Sequence, residues 1–197
     1  MKTKLLMLFV LLGSLWTSNL YAQARYPKRE FRGAWIQCVN GQFQGMPTEK
    51  MKKVLVSQLD NLQEAGINAI IFQVRAEADA LYKSSYEPWS RFLTGVQGKA
   101  PSPMWDPLQF MIEECHKRNM ELHAWINPYR AKTKGTGALS PMHPYSKNPE
   151  LFVQYAGQLY FDPGLPESRK YICKIVRDIV TRYDVDAIHM DDYFYPY

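Results

Sequence analysis

The sequence predicts an α/β protein of the (β/α)8 (TIM) barrel type, in which only the first four strand–helix units are present. Three observations lead there. Four strand-like runs alternate with three helical patterns, an order that argues for a parallel sheet. Helix-to-strand connections are short, whereas two strand-to-helix connections are about 30 residues (76–105) and about 35 residues (131–165), well beyond the usual range. Each strand also has one apolar face and one that turns polar toward its C-terminal end. Long loops gathered after strand C-termini are how (β/α)8 barrels build their sites. Open doubly wound sheets bind ligands at the same place, but no glycine-rich turn follows the first strand, which disfavours a dinucleotide fold.

The elements follow in order. Phe31 to Gln37 is the first strand. A helix runs from about Glu49 to Ala65, with Pro47-Thr48 before it and Gly66 as its C-cap. Ala69 to Arg75 is the second strand. The next helix starts with Asp106 as N-cap and Pro107 at its first position, and ends near Arg118-Asn119. Glu121 to Asn127 is the third strand. Pro166-Glu167-Ser168 opens a helix that runs to about Tyr183, and Asp186 to Asp191 is the fourth strand.

Ahead of these elements, residues 1–24 read as a signal peptide. Lys2 and Lys4 form the charged region, Leu5 to Leu12 is apolar, and Ala22-Gln23-Ala24 fits a small-x-small cleavage site. The apolar stretch is too short for a convincing membrane span. The remaining domain, 25–197, is therefore expected to be exported, periplasmic or extracellular, with no membrane attachment after cleavage. Its formal charge drops from +5 to +3 with the loss of Lys2 and Lys4, too weak a bias to imply nucleic acid. Cys38, Cys115 and Cys173 are widely spaced and form no CxxC or Cys/His pattern, so neither a metal nor a cofactor is expected. A disulfide pair is left open.

Strand parity sets out a candidate site. In the second strand Ile70, Phe72 and Val74 share one face, and Ile71, Gln73 and Arg75 the other. In the third, Leu122, Ala124 and Ile126 oppose His123, Trp125 and Asn127; in the fourth, Ile188 and Met190 oppose His189 and Asp191. Trp35 and Gln37 take the corresponding side of the first strand. One rim thus gathers Gln37, Gln73, Arg75, Asn127, His189 and Asp191, with Trp35 and Trp125 one step deeper. Amides, a carboxylate and indole faces suit a polyhydroxylated ligand. Asp191 is the candidate catalytic carboxylate, since a carboxylate at a strand's C-terminal end on the lumen side has little structural purpose. His189 positions Asp191, Arg75 balances it, and Asp192, of opposite parity, supports it. The loop aromatics, Tyr82, Tyr86, Trp89, Phe92, Trp105, Tyr129 and Tyr145, form either small cores beneath the loops or a substrate platform. A metal-assisted hydrolase ranks low, because His123 and His189 alone make a thin ligand set.

These stretches resemble the glycosyl hydrolase-like family 10 catalytic domain, in its N-terminal half. The matching segments are Glu30-Phe31-Arg32-Gly33-Ala34-Trp35-Ile36, Phe72-Gln73-Val74-Arg75, Pro88-Trp89-Ser90, Leu93-Thr94-Gly95, Asp106-Pro107-Leu108, His123-Ala124-Trp125-Ile126-Asn127-Pro128-Tyr129-Arg130, and His189-Met190-Asp191-Asp192-Tyr193-Phe194-Tyr195-Pro196. The resemblance implies a barrel glycoside hydrolase of bacterial origin acting on a polysaccharide such as cell-wall glycan. It also implies that Asp191 is the catalytic carboxylate, with Tyr129 and Tyr193 among the substrate contacts. Glycoside hydrolysis needs two carboxyl groups, and the acid would come from a later strand; Glu77 and Asp79 are the alternatives within this chain. Four strands without closure leave open edges that invite self-association. A carbohydrate-binding remnant without catalysis is the second reading.

Overall fold

In the computed structural model the described residues are 30–191. The segment expected to be a signal peptide and the site candidates Asp192 and Tyr193 lie outside them. The chain divides into two units, Met1–Phe31 and Arg32–Tyr197, and the strands and helices of the described residues all belong to the second.

Its centre is a four-stranded parallel sheet. In spatial order its strands are β1 (Gly33–Ile36), β2 (Ala69–Arg75), β3 (Glu121–Ile126) and β7 (Ala187–Met190). Three helices connect them: α1 (Thr48–Glu64), α3 (Pro107–His116) and α5 (Pro166–Arg182). The expected alternation is therefore present, with β2 matched at both ends and no other element end displaced by more than three residues.

Helical spacing explains the packing. Met51, Leu55 and Leu59 of α1, Leu108, Met111, Ile112 and Cys115 of α3, and Ile172, Ile175 and Ile179 of α5 are the buried apolar stripes of their helices. All but Ile172 join Ile36, Ile70, Phe72, Val74, Leu122, Ala124 and Ile126 from one face of the sheet in a single core. The parity read from the sequence thus selects the helix-packed face. Capping follows sequence as well. The Asp106 carboxylate accepts from Gln109 N at 3.1 Å, and also from Lys83 N at 2.9 Å and the Tyr183 hydroxyl at 2.7 Å. Gly66, at φ +80°, ends α1 in a conformation that favours glycine.

The long loops hold more structure than the sequence suggested. The loop after β2 contains α2 (Arg91–Thr94). The loop after β3 contains β4 (Arg130–Lys132), α4 (Pro144–Lys147), β5 (Phe152–Tyr155) and β6 (Gln158–Phe161). Strands β4, β6 and β5 pair antiparallel as a separate small sheet. A second apolar cluster of Ala78, Ala131, Leu159, Phe161 and Ile172 lies beneath it, with Tyr129, Tyr145 and Tyr171 packed alongside. Tyr82 and Phe92 are buried in the main core, which Tyr86, Trp89 and Trp105 pack against. The loop aromatics therefore pack into or against one of the two cores, five on the main core and two on the small cluster, instead of forming an open platform. The two loops also meet closely: a Cβ on Gly98 would lie 2.7 Å from Ser140 Oγ.

Candidate active site on the open sheet face

The site is built where β2, β3 and β7 end together. Gln73 is buried, and its side-chain oxygen accepts from Cys38 N at 3.0 Å in the turn after β1. That bond fixes the amide's orientation, so Gln73 Nε2 donates to Asn127 Oδ1 at 2.7 Å. Asn127, also buried, must then present its NH₂ on the other side. Asn127 Nδ2 donates to both oxygens of Asp191, at 2.6 and 2.7 Å. A chain of amides thus runs from a backbone N–H through two strands to one carboxylate, and leaves that carboxylate half-exposed.

Beside it lie the aromatic groups. Trp35, 62 % exposed, donates from Nε1 to His189 Nε2 at 3.2 Å. That geometry assigns the His189 proton to Nδ1. His189 meets Trp35 and Trp125 edge to face, with centroids 5.9 and 6.2 Å away. Its pKa lies below the ordinary imidazole range; burial is the main cause, with His123 adding to it, and together they outweigh the Asp191 carboxylate. The structure thus brings Trp35, Gln73, Trp125, Asn127, His189 and Asp191 to one face. Trp125 Nε1 is enclosed without a hydrogen-bond partner among the described residues. Gln37 is exposed and lines, with Trp35 and Trp125, a cleft of about 480 Å³ at the β1 edge.

Two candidates go elsewhere. Arg75 is not on this face. A register shift between Gln73 and Arg75 pairs Arg75 with Ile126, and a bulge of this kind re-aims a side chain. The guanidinium is fully buried and grips Glu87 through two bonds of 2.8 and 2.7 Å, while Nη1 donates to the backbone oxygens of Asn127 and Pro128 at 2.7 and 3.1 Å. Arg75 therefore does not neutralise Asp191; it anchors the turn that carries Asn127. Tyr129 is half-buried against the small-sheet cluster.

The loop after β2 carries a carboxylate whose hydrogen-bond donors come from two different loops. Glu77 accepts from Arg91 Nε and Nη2 at 2.9 and 3.1 Å, and from the Thr133 and Thr136 hydroxyls at 2.6 and 2.8 Å. Burial would raise its pKa, but these donors together hold it below the ordinary range, so Glu77 stays an anion. Next to it Ala78 sits at φ +50°, an uncommon conformation for alanine that tends to mark functional or tightly constrained turns. Asp79 is fully buried, and burial, with the adjacent Glu77, pushes its pKa up to about 6. Only the short spacing Glu77-Ala78-Asp79 hinted at this cluster; its donors come from sequence positions far away.

The Asp79 shift has a measurable sign. A raised carboxylate pKa means that the folded state binds the proton more tightly than the unfolded chain. The stability it confers is full below the ordinary range near 4 and is lost as pH rises through about 6, a loss on the order of 3 kcal/mol. Asp79→Asn should therefore gain stability relative to the wild type as pH rises from about 4.5 to about 7.5. Urea midpoints of both proteins at the two pH values check this; parallel midpoints would contradict it.

Comparison with known proteins places these features. Residues 30–197 match the family described as Glycosyl hydrolase-like 10. Glycosyl hydrolase YngK of Bacillus subtilis (strain 168) is 49 % identical over 175 residues, covering 86 % of this chain and 34 % of that protein. Glycosyl hydrolase DigH of Escherichia coli (strain K12) is 38 % identical over 162 residues, covering 76 % of this chain and 36 % of its own length. The chain thus spans about a third of these curated relatives. Among solved structures, an Anoxybacillus alpha-amylase superposes with a TM-score of 0.55 at 14 % identity, covering 83 % of this chain and 42 % of that one. The maltogenic alpha-amylase AmyB of Thermotoga neapolitana superposes with 0.54 at 18 % identity, covering 82 % and 39 %. At these identities the likeness is one of fold, that of TIM-barrel glycosidases.

Proposed function

Because the chain belongs to the glycosyl hydrolase-like 10 family, we propose that it forms the first half of a (β/α)8 barrel glycoside hydrolase, with Asp191 as the catalytic carboxylate. The substrate is a polysaccharide, with cell-wall glycan the leading candidate, met outside the cytoplasm after export. The observation that carries this reading is the clamp on Asp191, where one amide holds both carboxylate oxygens at the C-terminal end of a parallel strand.

The chemistry follows from the arrangement. A glycosidase carboxylate must be ionised and aimed at the anomeric carbon or at a water beside it. The Gln73–Asn127 chain supplies aim without neutralising the charge, because amides donate hydrogen bonds but carry no formal charge. Trp35 and Trp125 offer ring faces for sugar C–H groups, and the His189 Nδ1–H and the Gln37 amide offer partners for hydroxyls. The second carboxyl is a separate matter. Glu77 is held as an anion by its arginine and threonine donors, and Asp79 is enclosed, so neither is suited to protonate a leaving group. The acid in this reading comes from a later barrel strand. The outer edges of β1 and β7 are unpaired among the described residues, which supports pairing with further strands or with a second copy.

Two assays test the proposal. The chain itself should bind cell-wall glycan. A chimera in which residues 30–197 replace the matching segment of YngK should release new reducing ends from that glycan. Binding by the chain, with chimera turnover indifferent to Asp191, would favour the second reading, a carbohydrate-binding unit without catalysis. In the same chimera Asn127→Ala should lower kcat about 10- to 100-fold and leave KM little changed, because misaiming a catalytic group acts on the chemical step. A change confined to KM would contradict the positioning role.

A further inference from the structure

A second cleft, of about 360 Å³, opens between the loop after β1, the loop after β2, and β4. Its walls include Asn40, Glu77, Arg91, Phe92, Arg130 and Thr133. Most of the charge there is already matched. Glu77 is saturated by Arg91 and by two threonine hydroxyls, and Arg91 is neutralised by it in turn. Arg130 is different. It stands on β4 next to Ala131, which is buried in the small-sheet cluster, so alternation turns Arg130 away from that cluster. It lines the cleft half-buried, and its guanidinium has no ion pair or hydrogen bond among the described residues.

We propose that this cleft is a subsite for the carboxylate of an acidic sugar unit, with Arg130 as the residue that recognises it. The inference rests on the glycan reading above and narrows it. The unmatched charge is a cation, so the ligand group is an anion. One guanidinium is available, and its planar pair of N–H groups fits a carboxylate in two parallel bonds. A dianion such as a phosphate monoester would leave a negative charge unmatched, with the Glu77 and Asp79 carboxyls close behind. Asn40 and Thr133 add polar partners for ring hydroxyls, and Phe92 adds an apolar wall. The volume is at the lower end of ordinary small-ligand sites, suited to a sugar unit rather than a long segment. The carboxylate could belong to the ring, as in a uronic acid, or to an ether-linked lactyl group, as in N-acetylmuramate.

Titration calorimetry on the full chain tests this with two acidic disaccharides, one bearing glucuronate and one bearing N-acetylmuramate, each beside its carboxyl-reduced form. At least one acidic sugar should bind about tenfold or more tightly than its reduced form, the size expected of a charge-assisted bond. Which one does so identifies the carboxylate's source. Arg130→Ala should remove that preference, bringing the acidic and reduced forms to the same affinity, and a urea midpoint close to the wild type's reports that the variant is folded. Arg130→Lys should restore part of the preference. Equal binding of acidic and reduced forms, or a preference that survives Arg130→Ala, would overturn the subsite and leave the glycan reading intact. If neither form of either sugar binds, the glycan reading fails and the subsite with it.

Discussion

Arg75→Met is expected to destabilise the protein by about 3–5 kcal/mol, the range for breaking a buried ion pair by removing one partner. Both side chains of the Arg75–Glu87 pair are fully buried. Losing the guanidinium leaves the Glu87 carboxylate enclosed without its counter-charge, and leaves the backbone oxygens of Asn127 and Pro128 without their donor. It also removes the cation from the face of Phe161, 5.7 Å away, in the small-sheet cluster. The damage should therefore reach both layers of the domain. Arg75→Met/Glu87→Leu should recover much of the loss, because it removes the orphaned charge together with its partner. Urea unfolding of the wild type, the single variant and the double variant checks this. A single variant within about 0.5 kcal/mol of the wild type, the scale of an ordinary surface change, would contradict it.

The same pair shows where sequence reading succeeds and where it stops. Strand β2 was legible to the residue, because β-branched and aromatic residues fill it between a glycine-terminated helix and a polar loop. Its alternation correctly separates Phe72 from Gln73. It fails two residues later, since a register shift leaves no mark in the pattern of residue types, and Arg75 turns from a rim residue into a buried anchor. Glu87, in the loop that follows, gave no signal, because a lone carboxylate in a loop usually faces water. The small sheet was missed for a related reason. Its hairpin turns on Ala156 and Gly157, both at positive φ, and alanine there hides the Asn-Gly type of signal that marks such turns.

The candidate site was more readable. Period-two alternation and strand order suffice to bring Gln73, Asn127 and His189 together with Asp191 on one face. Side-chain order within that face is not readable. That Gln73 bonds to Asn127, and Asn127 to Asp191, depends on which amide group is fixed by Cys38 N, a contact made by the backbone of a turn. The Glu77–Arg91–Thr133–Thr136 group was invisible for the same reason, being assembled from two loops whose approach is set by tertiary packing.

Asp191→Asn is expected to have the largest effect on function. The substitution keeps shape and size but removes the charge, and it sets an amide against the Asn127 NH₂ that now donates to both carboxylate oxygens. The substituted side chain can accept through a single oxygen, so the clamp loses a bond and the reacting position loses its negative charge. Loss of a nucleophile or base of this kind costs about 10³-fold or more in turnover. Binding through Trp35, Trp125 and Gln37 should persist. The role of Asp191 is tested most directly by the rate at which the chimera carrying residues 30–197 releases reducing ends from cell-wall glycan, with Asp191 intact and with Asp191→Asn, glycan binding being measured on both. Turnover reduced at least about 10³-fold with binding retained is the expected result; turnover within a few-fold of the parent would contradict it.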